Sequence, residues 1–399
     1  MHNHVALIVV ALLILIFGLF SNLSERSPIS GPMFFVGIGL LMGPLGINVI
    51  EVHLNTEVVK ILAELTLIII LFVDASLIRF SKLGTILAGI PARLLLIGLP
   101  LTMISGTLVA YLLFPGYNIW ALAMLALILS PTDAALGQAV VKSDRVPERI
   151  KESISIESGL NDGIALPPIL LCIAVIASGG SAITGDGHWL KFMAMQLIIG
   201  PIAGTLIGHV GGRAIDYATN RNWMGSIFHQ LAAISLAILA YSCAEIFHGN
   251  GFIAAFFAGL MLGTKIHVVR ERVQEFGEAQ GQLFSLIIFF LLGLAAVPAV
   301  YTYWDQSTIV YAILSLTAIR IIPVMLALIG AELNLYSKIF IGWFGPRGIA
   351  SILYMLIVIS DLGVSGYEQL VSVIVLTVLI STFAHGLSAV SMSKQFSNH

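Results

Sequence analysis

Long apolar segments, separated by short polar or Gly/Pro-containing stretches, occupy almost the whole chain. A helix needs about 20 predominantly apolar residues to cross the hydrocarbon core of a bilayer, and the segments are about that long. The first segment has no Lys or Arg before it and no small-residue cleavage site after it, so we interpret it as a retained span. The pattern predicts thirteen transmembrane helices, centred near Leu13, Gly39, Ile69, Leu99, Leu127, Pro167, Ile202, Ile238, Phe257, Phe289, Thr317, Leu353 and Leu376.

Composition supports an all-α polytopic membrane protein. Hydrophobic residues make up 58% of the 399 residues and charged residues only 10%, whereas soluble domains carry about 25% charged residues. No stretch has the composition of a soluble domain, so we expect a single transmembrane unit over residues 1–399. The two cysteines, Cys172 and Cys243, lie in apolar segments and indicate neither a disulfide nor a metal framework. No cofactor and no nucleic-acid partner is expected.

Lys and Arg are distributed unevenly between the loops on the two sides of the predicted spans. Cytoplasmic loops carry the excess of these residues, and the opposite loops here have only Lys60 and Lys191. The bias predicts an extracytoplasmic N-terminus and a cytoplasmic C-terminus. Of the nineteen basic residues, fourteen follow odd-numbered spans: Arg26, Arg79, Lys82, Lys142, Arg145, Arg149, Lys151, Arg213, Arg221, Lys265, Arg270, Arg272, Lys338 and Lys394.

Two proline-containing motifs interrupt the fifth and twelfth spans: S-P-T-D at 130–133 and G-P-R-G at 345–348. Pro131 removes a backbone N–H, which predicts a broken helix. Asp133 then caps the second half-helix, binds an ion or does both, and Thr132 adds a hydroxyl and a carbonyl. The motifs lie seven spans apart, so spans 1–6 and 8–13 would form inverted repeats. Matching discontinuous helices in inverted halves are typical of midplane transporter sites.

The segment E-S-G-L-N-D-G at 157–163 places two carboxylates in the sixth span. A charge at mid-bilayer costs about 2.5–3.5 kcal/mol on insertion scales, so a functional reason is expected. Ser158 and Asp162 are four residues apart and therefore share a helix face. Their oxygens suit a hard monovalent cation such as Na⁺. The alternative is a structural Asp162 whose hydrogen bonds are satisfied by its neighbours.

Glu157 and Asn161 form the other pair with this spacing, on a neighbouring face of the same helix. A buried Glu157 needs a countercharge, and Arg347 and Arg320 are the deep cations available in the second half of the chain. We prefer Arg347, at the opposite break, as the partner in a structural ion pair. Arg320 then pairs with Asp133 or with carbonyls at a helix end, and the sequence leaves this choice open.

Three further polar residues lie within predicted spans. Asp74, in the third span, either coordinates an ion or accepts a hydrogen bond. Arg93 is expected to extend its head group towards an interface. We interpret His385, in the last span, as a packing residue with satisfied hydrogen bonds.

The motifs S-P-T-D-A, E-S-x-x-N-D-G and G-P-R-G-I-A, in this order and in these spans, resemble those of NhaP-type monovalent cation/proton antiporters. The same family contains the animal Na⁺/H⁺ exchangers. The resemblance covers nearly the whole chain, and it implies that Glu157 and Arg347 are a structural pair. The ion ligands that it implies are Asp162, Asp133, Thr132 and Ser158.

The resemblance also implies an architecture and a partner. It implies a core domain with two crossed broken helices beside a dimerisation domain, in a homodimer in the plasma membrane. Core helices are expected at about 57–178, 251–264 and 280–390, and dimerisation helices at about 1–47 and 188–247.

The expected function is exchange of Na⁺ or Li⁺ for H⁺. The dipeptide Asn161–Asp162 resembles the one found in the electroneutral branch of the family. Asp74 stands where these antiporters often have Glu, and its shorter side chain favours a water-bridged role. A K⁺/H⁺ antiporter using the same site is the alternative, and an ion channel or a transport-inactive sensor a more distant one. No phosphate-binding loop, H-E-x-x-H motif or nucleophile elbow points to an enzyme.

Overall fold

The computed structural model describes residues 2–25, 27, 29–50, 52, 56–77, 89–141, 143–179, 188–262 and 267–396. In this part of the chain the regular secondary structure is helical, apart from an isolated bridge between Pro115 and Tyr117. Five residues used to predict orientation lie outside the described residues: Arg26, Arg79, Lys82, Lys142 and Lys265.

Helical segments follow one another along the described chain in the order that hydropathy predicts. Each predicted centre lies in a separate helical segment, with Thr317 at the junction between two helices. The helices are α1 (His2–Glu25), α2 (Gly31–Met42), α3 (Glu57–Leu77), α4 (Ile90–Leu113), α5 (Ile119–Ile128), α6 (Ala134–Val141), α7 (Glu148–Ala177), α8 (His188–Asn220), α9 (Ser226–Ile246), α10 (Gly251–Leu262), α11 (His267–Leu291), α12 (Gln306–Leu316), α13 (Ala318–Ala327), α14 (Leu335–Trp343), α15 (Ile349–Leu362) and α16 (Glu368–Gln395).

Length and composition separate two groups among these helices. Among the described residues, seven helical segments are long and apolar enough to cross a membrane. Five apolar helices are shorter, and they include α5 and α15, each of which is one half of an interrupted span. Two π-helical stretches, Leu94–Gly98 within α4 and Leu292–Ala296 directly after α11, lie inside longer spans.

Side-chain caps define where several helices begin. Asn118 accepts a hydrogen bond from the N–H of Trp120 at the start of α5, and Asp305 accepts one from Thr308 at the start of α12. Asn334 does the same for α14. Each cap satisfies a backbone N–H that has no partner within its own helix.

One compact unit comprises residues 1–63, 93–158 and 284–399. In it α16 packs against α12 and α6, α4 packs against α5, and α13 packs against α14. Both interrupted spans, α5–α6 and α14–α15, belong to this unit.

A second compact unit comprises residues 64–92 and 159–283. Its centre is the packing of α8 and α9 on α10. A Cβ atom at Gly204 of α8 would overlap the carbonyl group of Ala254, and one at Gly208 would overlap that of Ala258. The backbones of α8 and α10 are thus in direct contact, the packing that small residues allow between helices in a membrane. The predicted division into core and dimerisation helices follows other boundaries and stays a prediction.

Candidate ion-binding site

The break between α5 and α6 lies where Pro131 predicts it. Helix α5 ends at Ile128 and α6 begins at Ala134, and the residues between them are buried. Pro131 has no N–H to donate and clashes with a continuing helix, so the chain leaves the helical path there. The break exposes backbone groups that need partners from elsewhere in the unit.

The second break, residues 344–348 between α14 and α15, supplies some of those partners. The N–H of Asp133 donates to the carbonyl of Pro346 at 2.8 Å. In return the Asp133 carboxylate accepts a hydrogen bond from the N–H of Ile349, the first residue of α15, at 2.6 Å. The two unwound segments therefore cross in contact. Asp133 thus caps α15, the helix of the opposite break, whereas the sequence predicted a cap on α6, the second half of its own broken helix.

The two glycines of G-P-R-G make this close crossing possible. A Cβ atom at Gly348 would overlap the carboxylate of Asp133. One at Gly345 would lie 2.6 Å from Nε of Arg320 and 2.9 Å from Cγ2 of Thr132. A side chain at Gly348 would displace the Asp133 carboxylate, and one at Gly345 would displace Arg320 and Thr132.

Arg347 binds the end of the other half-helix. Its Nη1 donates to the carbonyl oxygens of Ser130 and Pro131, at 2.8 and 3.1 Å. Ser351, one turn further along α15, donates its hydroxyl to the carbonyl of Ile128 at 2.8 Å. A cation at the carbonyl end of a helix is favourable because the helix dipole is negative there. Sequence reasoning missed Ser351, because Arg347 lies in the unwound segment before α15 and helix spacing does not relate the two residues.

Glu157 pairs with Arg320, so the predicted Glu157–Arg347 pair is wrong. Nη2 of Arg320 lies 2.7 and 2.8 Å from the two carboxylate oxygens, and both side chains are 1% exposed. The physical reason is that Arg347 is already bound to the carbonyls freed by the first break. Arg320, near the start of α13, is then the cation that neutralises Glu157. Arg320 thus takes neither of the two partners that the sequence left open.

Ser158 ties α7 to the first break. Its hydroxyl donates to the carbonyl of Thr132 at 2.6 Å, and both residues are buried. The first unit therefore brings together seven residues predicted from sequence: Pro131, Thr132, Asp133, Glu157, Ser158, Arg320 and Arg347.

Residues of α7 from Gly159 onward belong to the second unit. Asn161 and Asp162 are among them, and they are 0% and 6% exposed. Asp74, on α3, lies beside the same helix in this unit. A Cβ atom at Gly159 would be 3.8 Å from its carbonyl oxygen and 4.0 Å from its Cβ. The second unit therefore brings Asp74 next to the turn of α7 that bears Asp162.

The family model for the transmembrane region of sodium/hydrogen exchangers matches residues 8–395. The chain belongs to this family. The family that the three motifs indicated is thus confirmed. It is a family of ion transporters rather than enzymes.

Individual relatives are named for different cations. The chain is 26% identical to the K⁺/H⁺ antiporter NhaP of Alkalimonas amylolytica, over 88% of the chain and 60% of that protein. It is 24% identical to a Na⁺/H⁺ antiporter of Schizosaccharomyces pombe, over 88% of the chain and 78% of that protein. The chain thus spans well under two thirds of the Alkalimonas relative.

The fold is that of a solved antiporter structure. The sodium proton antiporter MjNhaP1 of Methanocaldococcus jannaschii superposes with a TM-score of 0.79, covering 100% of both chains at 19% identity. This confirms the predicted antiporter fold and a multi-pass membrane protein.

Proposed function

We propose that this chain exchanges Na⁺ or Li⁺ for H⁺ across the plasma membrane by alternating access. The observation that carries the proposal is the crossing of two unwound helix breaks, to which Ser158 ties α7, one turn before Asp162 on the same helix. Irregular backbone at membrane depth is tolerated where it is buried in protein or lines a water-filled cavity, and transporters place ion sites there.

The cation ligands in this proposal are Asp162, Asp133, Thr132 and Ser158, with Asp74 acting through water. Carboxylate, hydroxyl and carbonyl oxygens together suit a hard monovalent cation. Ser158 contributes its hydroxyl oxygen while its O–H continues to donate to the Thr132 carbonyl. Glu157 with Arg320, Arg347 and the neutral Asn161 hold the surrounding helices in place.

Exchange follows from competition at Asp162. Its carboxylate binds either a proton or a cation, and the two loaded states are neutral at that residue. Moving the site across the membrane with Asp162 ionised and without a cation costs far more free energy than moving either loaded state, because an uncompensated charge is then desolvated. Coupling therefore needs a single exchanging carboxylate and no further gate.

The proposal includes assembly and orientation. The chain would work as a homodimer, with the N-terminus outside and the C-terminus in the cytoplasm. The bias of Lys and Arg towards one set of loops supports this orientation.

Purified protein in liposomes with an outward proton gradient and a pH-sensitive dye tests the proposal. Adding Na⁺ or Li⁺ should dissipate the gradient, and Asp162→Asn should abolish the response because an amide cannot exchange a proton. Asp144→Asn is the matched control, since Asp144 is exposed in the loop before α7, and it should respond like the wild type. Retained Na⁺-driven proton flux in Asp162→Asn would rule out this site.

K⁺/H⁺ exchange by the same residues is the second candidate. The relatives from Alkalimonas amylolytica and Shewanella oneidensis are named K⁺/H⁺ antiporters, and the second aligns with 96% of this chain. A response to K⁺ alone, again absent in Asp162→Asn, would select this function and leave the site unchanged.

A further inference from the structure

The unwound segment between α14 and α15 also has partners on α16. Residues 344–348 are buried throughout, so their backbone groups need hydrogen bonds other than helical ones. Ser381 accepts a hydrogen bond from the N–H of Arg347 at 2.7 Å. One turn later, Nε2 of His385 lies 2.9 Å from the carbonyl oxygen of Trp343, the last residue of α14. The two side chains thus contact both ends of the break.

We propose that Ser381 and His385 form a strut that fixes the spacing of α14 and α15 and thereby positions Arg347 for exchange. Its effect on transport rests on the function proposed above, whereas the strut itself does not. Both residues are positioning residues, because they act on the site through Arg347.

Donor and acceptor roles along the strut define the state of His385. The Ser381 hydroxyl lies 3.1 Å from Nδ1 of His385 and can donate to it while its oxygen accepts from the N–H of Arg347. Nε2 must then carry the ring proton and donate it, because the carbonyl oxygen of Trp343 can only accept. The geometry therefore assigns a neutral imidazole with its proton on Nε2.

A second contact bears on this assignment. Nδ1 also lies 2.9 Å from the carbonyl oxygen of Ser381, which would accept a hydrogen bond from a doubly protonated ring. That imidazolium would add a positive charge to surroundings that already contain Arg347 and Arg320. Two like charges in a buried site are unfavourable, so the neutral form is the one that fits.

A displacement of the strut would directly change the contact between the two crossing breaks. Arg347 is the residue whose backbone is held by Ser381 and whose side chain binds the carbonyls of Ser130 and Pro131. A shift of its backbone therefore moves the contact between the two breaks. The ring of His385 also packs against the indole of Trp343, with centroids 4.9 Å apart.

Hydrogen–deuterium exchange in detergent tests the strut without any transport assay. His385→Phe keeps an aromatic ring but removes both nitrogens, and Ser381→Ala removes the acceptor for Arg347. Both should raise deuterium uptake over residues 344–349 and leave α12 unchanged. Ser388→Ala is the control. It removes a hydroxyl that accepts from the Trp343 indole and donates to the His385 carbonyl, but it leaves the contacts of Ser381 and of the His385 ring in place, so uptake over 344–349 should stay unchanged. Wild-type uptake in both test variants would overturn the proposal.

Transport in liposomes tests the positioning role. His385→Phe should raise the apparent KM for the cation about three- to tenfold, the effect of roughly one lost buried hydrogen bond, with a smaller change in maximal rate. His385→Gln keeps an N–H donor for Trp343 and should recover part of the loss. Raised deuterium uptake with an unchanged KM would overturn the positioning role. Absence of exchange in the wild type would count against the proposed function instead, and the uptake measurement would still decide the strut.

Discussion

Glu157 and Arg320 neutralise each other at a depth where neither is solvated. Removing one partner leaves the other as a buried, uncompensated charge, which typically costs about 3–5 kcal/mol. We expect Glu157→Gln and Arg320→Gln each to lower the thermal unfolding midpoint in detergent strongly. The double variant should lose less than the sum of the two, because residues in one ion pair are coupled.

A solvated ion pair in the same helix gives the control for this prediction. Glu148 and Lys151 are 2.8 Å apart, but the Glu148 side chain is 73% exposed. Glu148→Gln should change stability by less than about 1 kcal/mol, as is typical of surface pairs. Equal midpoints for Glu157→Gln and Glu148→Gln would contradict the structural role of the buried pair.

Gly348 leaves the space that the Asp133 carboxylate occupies. In Gly348→Ala the new methyl group would overlap that carboxylate, and the hydrogen bond to the N–H of Ile349 would be displaced. We expect the initial rate of cation-driven proton flux to fall by about 5- to 150-fold, since overpacking costs about 1–3 kcal/mol. Gly137→Ala on α6, where a Cβ meets no atom within 4 Å, should retain flux. Equal rates in the two variants would show that the crossing tolerates displacement.

Local sequence predicts the positions and breaks of helices much better than it predicts which side chains pair with each other. Hydropathy places the centres of the spans, and Pro131 predicts the break between α5 and α6, because both are properties of contiguous residues. The partner of Glu157 depends on where α13 carries Arg320, 163 positions away along the chain. Pseudo-symmetry favours Arg347 for that role. It does not reveal that the freed carbonyls of the first break bind Arg347 instead.

Backbone contact between α8 and α10 is a second property of whole helices, and it is testable. Gly204→Ala would force the two helices apart, because its Cβ would overlap the Ala254 carbonyl. We expect a stability loss of about 1–3 kcal/mol in thermal unfolding. Gly212→Ala, on the same helix, would meet Leu262 Cδ1 at an ordinary 3.4 Å and should unfold near the wild-type midpoint. A Gly204→Ala variant as stable as Gly212→Ala would mean that the helices do not need this contact.

Charge balance is a property of the whole molecule, because the voltage dependence of the proposed exchange is set by the net charge that crosses the membrane in one cycle. In the first unit, the carboxylates of Glu157 and Asp133 match the guanidinium groups of Arg320 and Arg347 in number, and all four residues are buried. Such a balanced set adds no net charge to a moving site. In the proposed function, the charge that changes during exchange is then that of Asp162, and the residue before it, Asn161, is neutral.

One exchanging carboxylate predicts one proton per cation. The initial rate of Na⁺-driven proton flux in liposomes should be the same with the membrane potential clamped at zero and at about 100 mV, because no net charge moves. One uncompensated charge would instead add about 2.3 kcal/mol per 100 mV. Asn161→Asp adds a second buried carboxylate beside Asp162 and should make the rate depend on voltage, whereas Asn222→Asp, at an exposed turn after α8, should not. A wild-type rate that already changes steeply with voltage would require a second charge to move, and the electroneutral mechanism would then be wrong.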